Sequence, residues 1–244
     1  LNVCKVSIGS QELQIVCGAN NVKANQYVAV ALEGAVIPHT KSGEIVIKQT
    51  NLRGIESCGM LCSSVELGLP KINDGIMVLD STAGHLELGV ELGNLPLFND
   101  YVIEVGITPN RGDCLSVLGI ARELATSYDL RLKHEVDMDN VVTLGLGRVL
   151  QILCDEKIEA HLLYRVVEVK QAYLPLDIAL CLARNGSLVD DIMCNFLEYG
   201  TYMTGVILNA YKLYDCENKD IVLDNGLVAQ LRIKKDENGL GAVF

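Results

Sequence analysis

Tryptophan is absent from the 244 residues, phenylalanine occurs three times and proline five times. Tyr27 is the sole aromatic among the first 90 positions, which leaves little for a nucleic-acid surface built on base stacking. No apolar run approaches the roughly 20 residues that cross a bilayer. The longest, over positions 28–37, is broken by Glu33 and Gly34, so no membrane partner is expected. Neither an initiator Met nor a basic-then-apolar leader opens the sequence, which starts at Leu1 already in strand rhythm; the expectation is a piece of a longer polypeptide. The four histidines, at 39, 85, 134 and 161, share no metal-ligand spacing. Leu144-Gly-Leu-Gly147 lacks the third glycine of a dinucleotide fingerprint.

What is plentiful is apolar surface and acid. Hydrophobic residues make up 50% and charged residues 21%, the balance of a folded chain rather than a disordered one. The net charge of −11 excludes indiscriminate nucleic-acid binding, whose affinity comes from neutralising phosphates. The acid is unevenly spread. Positions 1–60 hold five cations against four anions, or +1, leaving −12 for the remainder, so this opening stretch is the least repelled by RNA. Nine cysteines stand singly, most inside apolar runs such as Ile15-Val16-Cys17, where a thiol acts as a small buried hydrophobe. An odd, unpatterned set fits a reducing cytoplasm better than a disulfide framework. Cys58 and Cys62 form half a zinc site without a second half, so no metal is expected.

The pattern along the chain is α+β and multidomain. Over 1–98, short β-prone runs (3–8, 13–17, 27–32, 44–48, 76–79) alternate with Gly-rich turns, and Gly9-Ser10-Gln11 reads as a hairpin. Strands this short and closely spaced suggest a small β-barrel. Over 99–147 the sequence predicts a βαβ-like unit. It has a strand at 101–108, a turn at Pro109-Asn110-Arg111-Gly112-Asp113, a helix over 114–127 capped by Asp113, and a strand at 130–133. Arg111 is expected to anchor that turn to a neighbour by bidentate hydrogen bonds. Over 148–244 an incomplete mixed α+β domain is expected. Its strands fall at 162–170, 219–225 and 227–234, its helices at 176–183 (after Pro175) and 190–199, and 203–211 is β-prone.

Three stretches in the first third, Leu13-Gln-Ile-Val-Cys-Gly-Ala19, Leu52-Arg-Gly-Ile-Glu-Ser-Cys-Gly-Met-Leu-Cys-Ser63 and Glu66-Leu-Gly-Leu69, resemble the oligonucleotide-binding (OB) barrel of EMAP-type tRNA-binding modules. The version they resemble is that of bacterial phenylalanyl-tRNA synthetase beta chains. The 22 residues from Val102 to Glu123 resemble the segment that follows the barrel in that family. Tyr164-Arg165, Pro175-Leu176, Leu182, Gly186, Val189-Asp190 and Asn195 follow the skeleton of its editing domain.

The resemblance implies a β-subunit fragment divided as barrel (1–98, lacking its first strand), framework segment (99–147) and partial editing domain (148–244). It implies tRNA(Phe) and an alpha subunit as partners in a cytoplasmic heterotetramer of two alpha and two beta chains. It also implies ATP and magnesium for the whole enzyme, with no cofactor and no aminoacylation residue in this piece. The tRNA-binding candidates it marks are Lys48, Arg53, Ser57, Met60 and Ser63; Asn110, Arg111 and Asp113 are marked as a structural turn. A free-standing EMAP-type tRNA-binding protein is the alternative, and the stretch 102–123 discriminates against it.

One departure bears on chemistry. Where the family's editing segment reads Gly-Gln-Pro-Leu-His-Ala-Phe-Asp, this chain has Gly205-Val-Ile-Leu-Asn-Ala-Tyr-Lys212, with Asn209 in the histidine's place. An imidazole can move a proton near neutral pH, whereas an amide can only hold a partner by hydrogen bonds. The editing centre, which in the family removes misattached tyrosine, is therefore expected to be degenerate.

Overall fold

The computed structural model describes residues 1–40, 43–133, 151–153, 169, 172–210, 219–222 and 228–232. These fall into two compact units, Leu1–Gly106 with Leu174–Asp190, and Ile107–Tyr173 with Asp191–Phe244. The described fold is mixed α+β, made of small sheets and three α-helices.

The first unit begins with the strands β1 (Asn2–Ser7) and β2 (Glu12–Cys17), paired antiparallel from Asn2↔Cys17 to Ser7↔Glu12. Gly9 adopts φ +83° in the turn between them, a conformation that glycine takes without steric cost. Alternation along β2 sends Ile15 and Cys17 inward. Then follow β3 (Tyr27–Val28), β4 (Val30–Ala31), β5 (Val36–Thr40), β6 (Gly43–Val46), β7 (Thr50–Leu52), β8 (Ile55–Ser57), β9 (Met60–Leu61) and β10 (Val78–Leu79). All the pairs are antiparallel and two-stranded: β3 with β10, β4 with β9, β5 with β6, β7 with β8. Pro38 lies where the β5–β6 register shifts, between Ile37 and Thr40, an irregularity that accommodates a residue with no N–H to donate.

Two apolar clusters fill this unit. Ile15, Cys17, Leu61 and Ile76 form one. Ala29, Ala31, Ile37, Ile47, Cys62, Met77, Ala83 and Leu95 form the other, together with Leu176 and Leu180 from a much later helix. Burying each of those two leucines contributes about 2 kcal/mol before ordering entropy is counted.

The second unit contains α1 (Val117–Ser127), the short strand β11 (Gln151–Leu153), α3 (Ile192–Thr204), and the strands β12 (Lys219–Val222) and β13 (Val228–Arg232). The helix between them in sequence, α2 (Leu176–Arg184), belongs to the first unit. Strand β13 sits between β11 and β12, antiparallel to both. Helix α3 is capped at its start by the Asp191 carboxylate, which accepts from Cys194 N at 2.8 Å. It ends at Gly205 with φ +78°, the left-handed position that glycine supplies.

Several expectations are corrected. Residues 101–108 form no strand; Tyr101, Val102 and Ile103 are 85%, 70% and 80% exposed. β-prone composition makes a strand only when another backbone accepts it. Residues 130–133 are likewise not a strand, so the described residues of 99–133 hold a helix without the flanking βαβ pairing. Asp113 does not cap α1. Its N-cap is Ser116, whose Oγ accepts from Gly119 N at 3.0 Å, and 112–114 form a separate 3-10 turn. Pro175 sits at the N-cap of α2. Residues 203–204 end α3 and 205–210 are irregular, so the described part of 203–211 is not β. The strand expected over 162–170 lies outside the described residues apart from position 169.

Candidate nucleic-acid interface

The hairpin β7–β8 carries the sequence that pointed to RNA. Its base is fixed to β2 by three bonds. Gln14 Nε2 donates to Glu56 O (2.9 Å), Cys58 N donates to Gln14 O (2.8 Å), and Val16 N donates to Ser57 Oγ (3.0 Å). Gln49 Nε2 donates to Glu56 Oε1 across the hairpin. Its tip is a two-residue loop, Arg53 and Gly54, with φ of +55° and +83°. Both signs are those of a type I′ hairpin turn.

The five candidate residues separate on this frame. Lys48 and Arg53 are exposed. Ser57 is 2% exposed, and its hydroxyl also donates to Gly59 O at 3.1 Å, so it is spent on holding the turn. Met60 is half-buried and packs against the larger apolar cluster, a core contact. Ser63 forms a reciprocal box with Glu66: Ser63 N and Oγ both donate to Glu66 Oε2 (2.7 and 2.8 Å), and Glu66 N donates to Ser63 Oγ at 3.4 Å. A cleft of about 1240 Å³ opens elsewhere in the first unit, lined by β1, residues 22–32 and residues 86–92. None of the five lines it.

In the second unit the turn at 109–113 is built around one guanidinium. Arg111 grips Asp113 bidentately (Nε–Oδ1 3.0 Å, Nη2–Oδ2 2.8 Å), reaches Glu123 Oε1 on α1 at 2.5 Å, and donates to Cys114 Sγ at 3.1 Å. Arg111 thus ties the turn to α1 through Glu123, while its bidentate grip is on Asp113 within the turn itself. The bond from Arg111 holds the Asp113 carboxyl down at about 2. Burial pushes the Cys114 thiol up, as does its hydrogen bond to Asp113. Asp113, Cys114 and Glu123 bring three potential ligand atoms within 4.8 Å of one another, but the cation they gather around is Arg111. Asn110 is exposed in the turn closed by Arg111 N donating to Thr108 O at 2.9 Å.

Cys58 and Cys62 are free. Burial, with Glu66 nearby, drives the Cys62 thiol up to about 11, so it stays protonated at neutral pH. Asn209 is exposed in the irregular stretch after α3. No described helix is long and apolar enough to cross a membrane.

Sequence reading missed Asp80 and Thr82. Asp80 Oδ1 accepts from Thr82 N at 2.9 Å, while its Oδ2 accepts from Leu176 N, also at 2.9 Å. Thr82 Oγ1 accepts from Asp177 N at 3.1 Å. At the far end of α2, Arg184 bonds Asp100 Oδ2 (3.1 Å) and Leu97 O (3.4 Å). The Asp-x-Thr pattern signals a local turn and gives no sign of the distant helix it serves.

Residues 1–86 match the family described as "Putative tRNA binding domain". Over its whole length the chain is 51% identical to a phenylalanine--tRNA ligase beta subunit of Wolinella succinogenes, covering 31% of that protein. It is 46% identical over its whole length to the beta subunit of Helicobacter pylori strain 26695, covering 30%. Over 90% of its length it is 47% identical to the beta subunit of Campylobacter jejuni strain RM1221, covering 28%. The chain therefore spans about a third of the length of these relatives.

Proposed function

We propose, on the premise that this chain corresponds over its whole length to part of a phenylalanine--tRNA ligase beta subunit, that it serves tRNA handling and assembly in the ATP-dependent charging of tRNA(Phe) with phenylalanine. The observation that carries this reading is the extent of the identity. The tRNA-binding family accounts for residues 1–86, while the relatives match all 244 positions, including the 102–123 stretch that a free-standing tRNA-binding module has no use for.

In this reading the first unit is an OB-type barrel that meets tRNA through exposed cations, Lys48 and Arg53 first. Residues 1–98, 99–147 and 148–244 correspond to barrel, framework segment and part of an editing domain. ATP and magnesium act at a site on a partner alpha chain, in a cytoplasmic assembly of two alpha and two beta chains. This chain contributes no aminoacylation residue and holds no cofactor. Editing by the third segment is impaired, because Asn209 cannot relay a proton.

The test is to assay phenylalanine attachment by the 244-residue chain alone, and by the complete beta subunit co-expressed with its alpha partner. Charging is expected only from the pair. Attachment by the isolated chain, or a complete beta subunit that neither joins an alpha chain nor supports charging, refutes the proposal.

A further inference from the structure

We infer that Arg53 is an RNA phosphate-contacting residue, held at the tip of the β7–β8 hairpin against the preference of its own backbone; the inference rests on the tRNA-binding reading above. Its φ of +55° lies in the left-handed region, which disfavours a long side chain and which Asn, Asp or Gly fill readily at the first position of such a turn. Two-residue hairpins keep their register with those residues, so folding alone gives no reason for arginine here. Among the described residues the other two non-glycine residues at positive φ are Asn25 and Asp129, the types that tolerate it.

Nor does the arginine earn its place by an internal contact. Arg111 and Arg184 are each bound to carboxylates, whereas Arg53 is exposed and joins no ion pair or hydrogen bond among the described residues. The hairpin beneath it is fastened to β2 at Gln14, Val16 and Ser57. A short, anchored hairpin therefore carries a planar guanidinium at its tip with its donors unused. That is the arrangement suited to bidentate capture of a phosphate. Exposed Lys48 lies at the foot of the same hairpin, within positions 1–60, which carry +1 while the rest carries −12. A carboxylate on a protein partner is the competing anion, and the tRNA-binding family match over this hairpin favours phosphate.

Removing the arginine should relax the fold and weaken the complex. An unmodified tRNA(Phe) transcript is titrated against the complete ligase carrying wild type, Arg53→Asn or Arg53→Lys, at about 50 and about 200 mM salt. The Asn variant is expected to bind roughly 3- to 10-fold more weakly, with the slope of log K against log salt reduced by about one. Its melting temperature should be at or above wild type. The Lys variant, which keeps charge but loses the fork, should fall between them. Wild-type affinity and slope in the Asn variant overturn the inference while leaving tRNA binding standing, and so does a lowered melting temperature. Loss of subunit association at unchanged tRNA affinity assigns the residue to a protein partner and also overturns it. No salt-dependent binding by the wild type sinks the tRNA-binding reading itself.

Discussion

Asp80 Oδ2 accepts a hydrogen bond from the backbone N–H of Leu176 at 2.9 Å, across 96 positions of sequence. The N-cap of helix α2 is Pro175, whose ring carries no hydrogen-bond acceptor. Its orphan N–H groups are met instead by Asp80 and by Thr82, which accepts from Asp177 N. The cap of this helix is a tertiary contact, and the aspartate also sits at the positive end of the helix dipole.

Replacing Asp80 with alanine should therefore act as a lost N-cap, costing about 1 kcal/mol and within roughly 0.5–2 kcal/mol. Urea denaturation measures the loss, and amide exchange should quicken at residues 176–178. Unchanged stability would show that water replaces the carboxylate at no cost.

Gly119 in α1 sets two effects against each other. Alanine is intrinsically better than glycine in a helix interior by about 1 kcal/mol. Yet a Cβ at this position would stand 2.0 Å from Asp113 O and 2.9 Å from Cys114 Cα. Backbone cannot yield as a flexible side chain does, and overpacking of this kind costs about 1–3 kcal/mol or more. Gly119→Ala should destabilise, and a melting temperature above wild type would contradict the close approach of the 112–114 turn.

The Asp113 carboxyl should titrate near 2 in the folded chain because Arg111 holds its charged form. A depressed folded value means that the contribution is fully present above the unfolded carboxylate value of about 3.9. It is lost as pH falls through about 2. Carbonyl-carbon NMR against pH gives the midpoint directly. In Arg111→Gln the midpoint should return toward the ordinary range; if it stays put, the arginine is not the cause.

Hydrolysis of tyrosyl-tRNA(Phe) by the complete enzyme should run well below that of a relative bearing histidine at the position of Asn209. Steady-state deacylation decides it. Equal rates would mean that the reaction needs no imidazole there.

What could be read from the sequence was local. Gly9-Ser10-Gln11 between β-prone runs announces the β1–β2 hairpin, and the helices expected over 114–127, 176–183 and 190–199 stand at Val117–Ser127, Leu176–Arg184 and Ile192–Thr204. The β7–β8 hairpin went unread, although Arg53-Gly54 is a two-residue turn. An arginine is not the residue that advertises a left-handed position. Asp113 and Ser116 both precede the apolar face of α1, and sequence cannot choose between two eligible caps three positions apart. Ser57 shows the same limit at the candidate interface: a hydroxyl beside Arg53 looks available until burial reveals that Val16 N and Gly59 O already use it.

The path of the polypeptide has a practical outcome for anyone dividing it. Leu176 and Leu180, at 4% and 0% exposure, complete an interior whose other members all precede position 96. A recombinant piece stopped at Gly106 keeps every described strand of the first unit and forfeits two of its innermost leucines. Stretches adjacent in space are discontinuous in the gene here, and no single cut separates the two units cleanly.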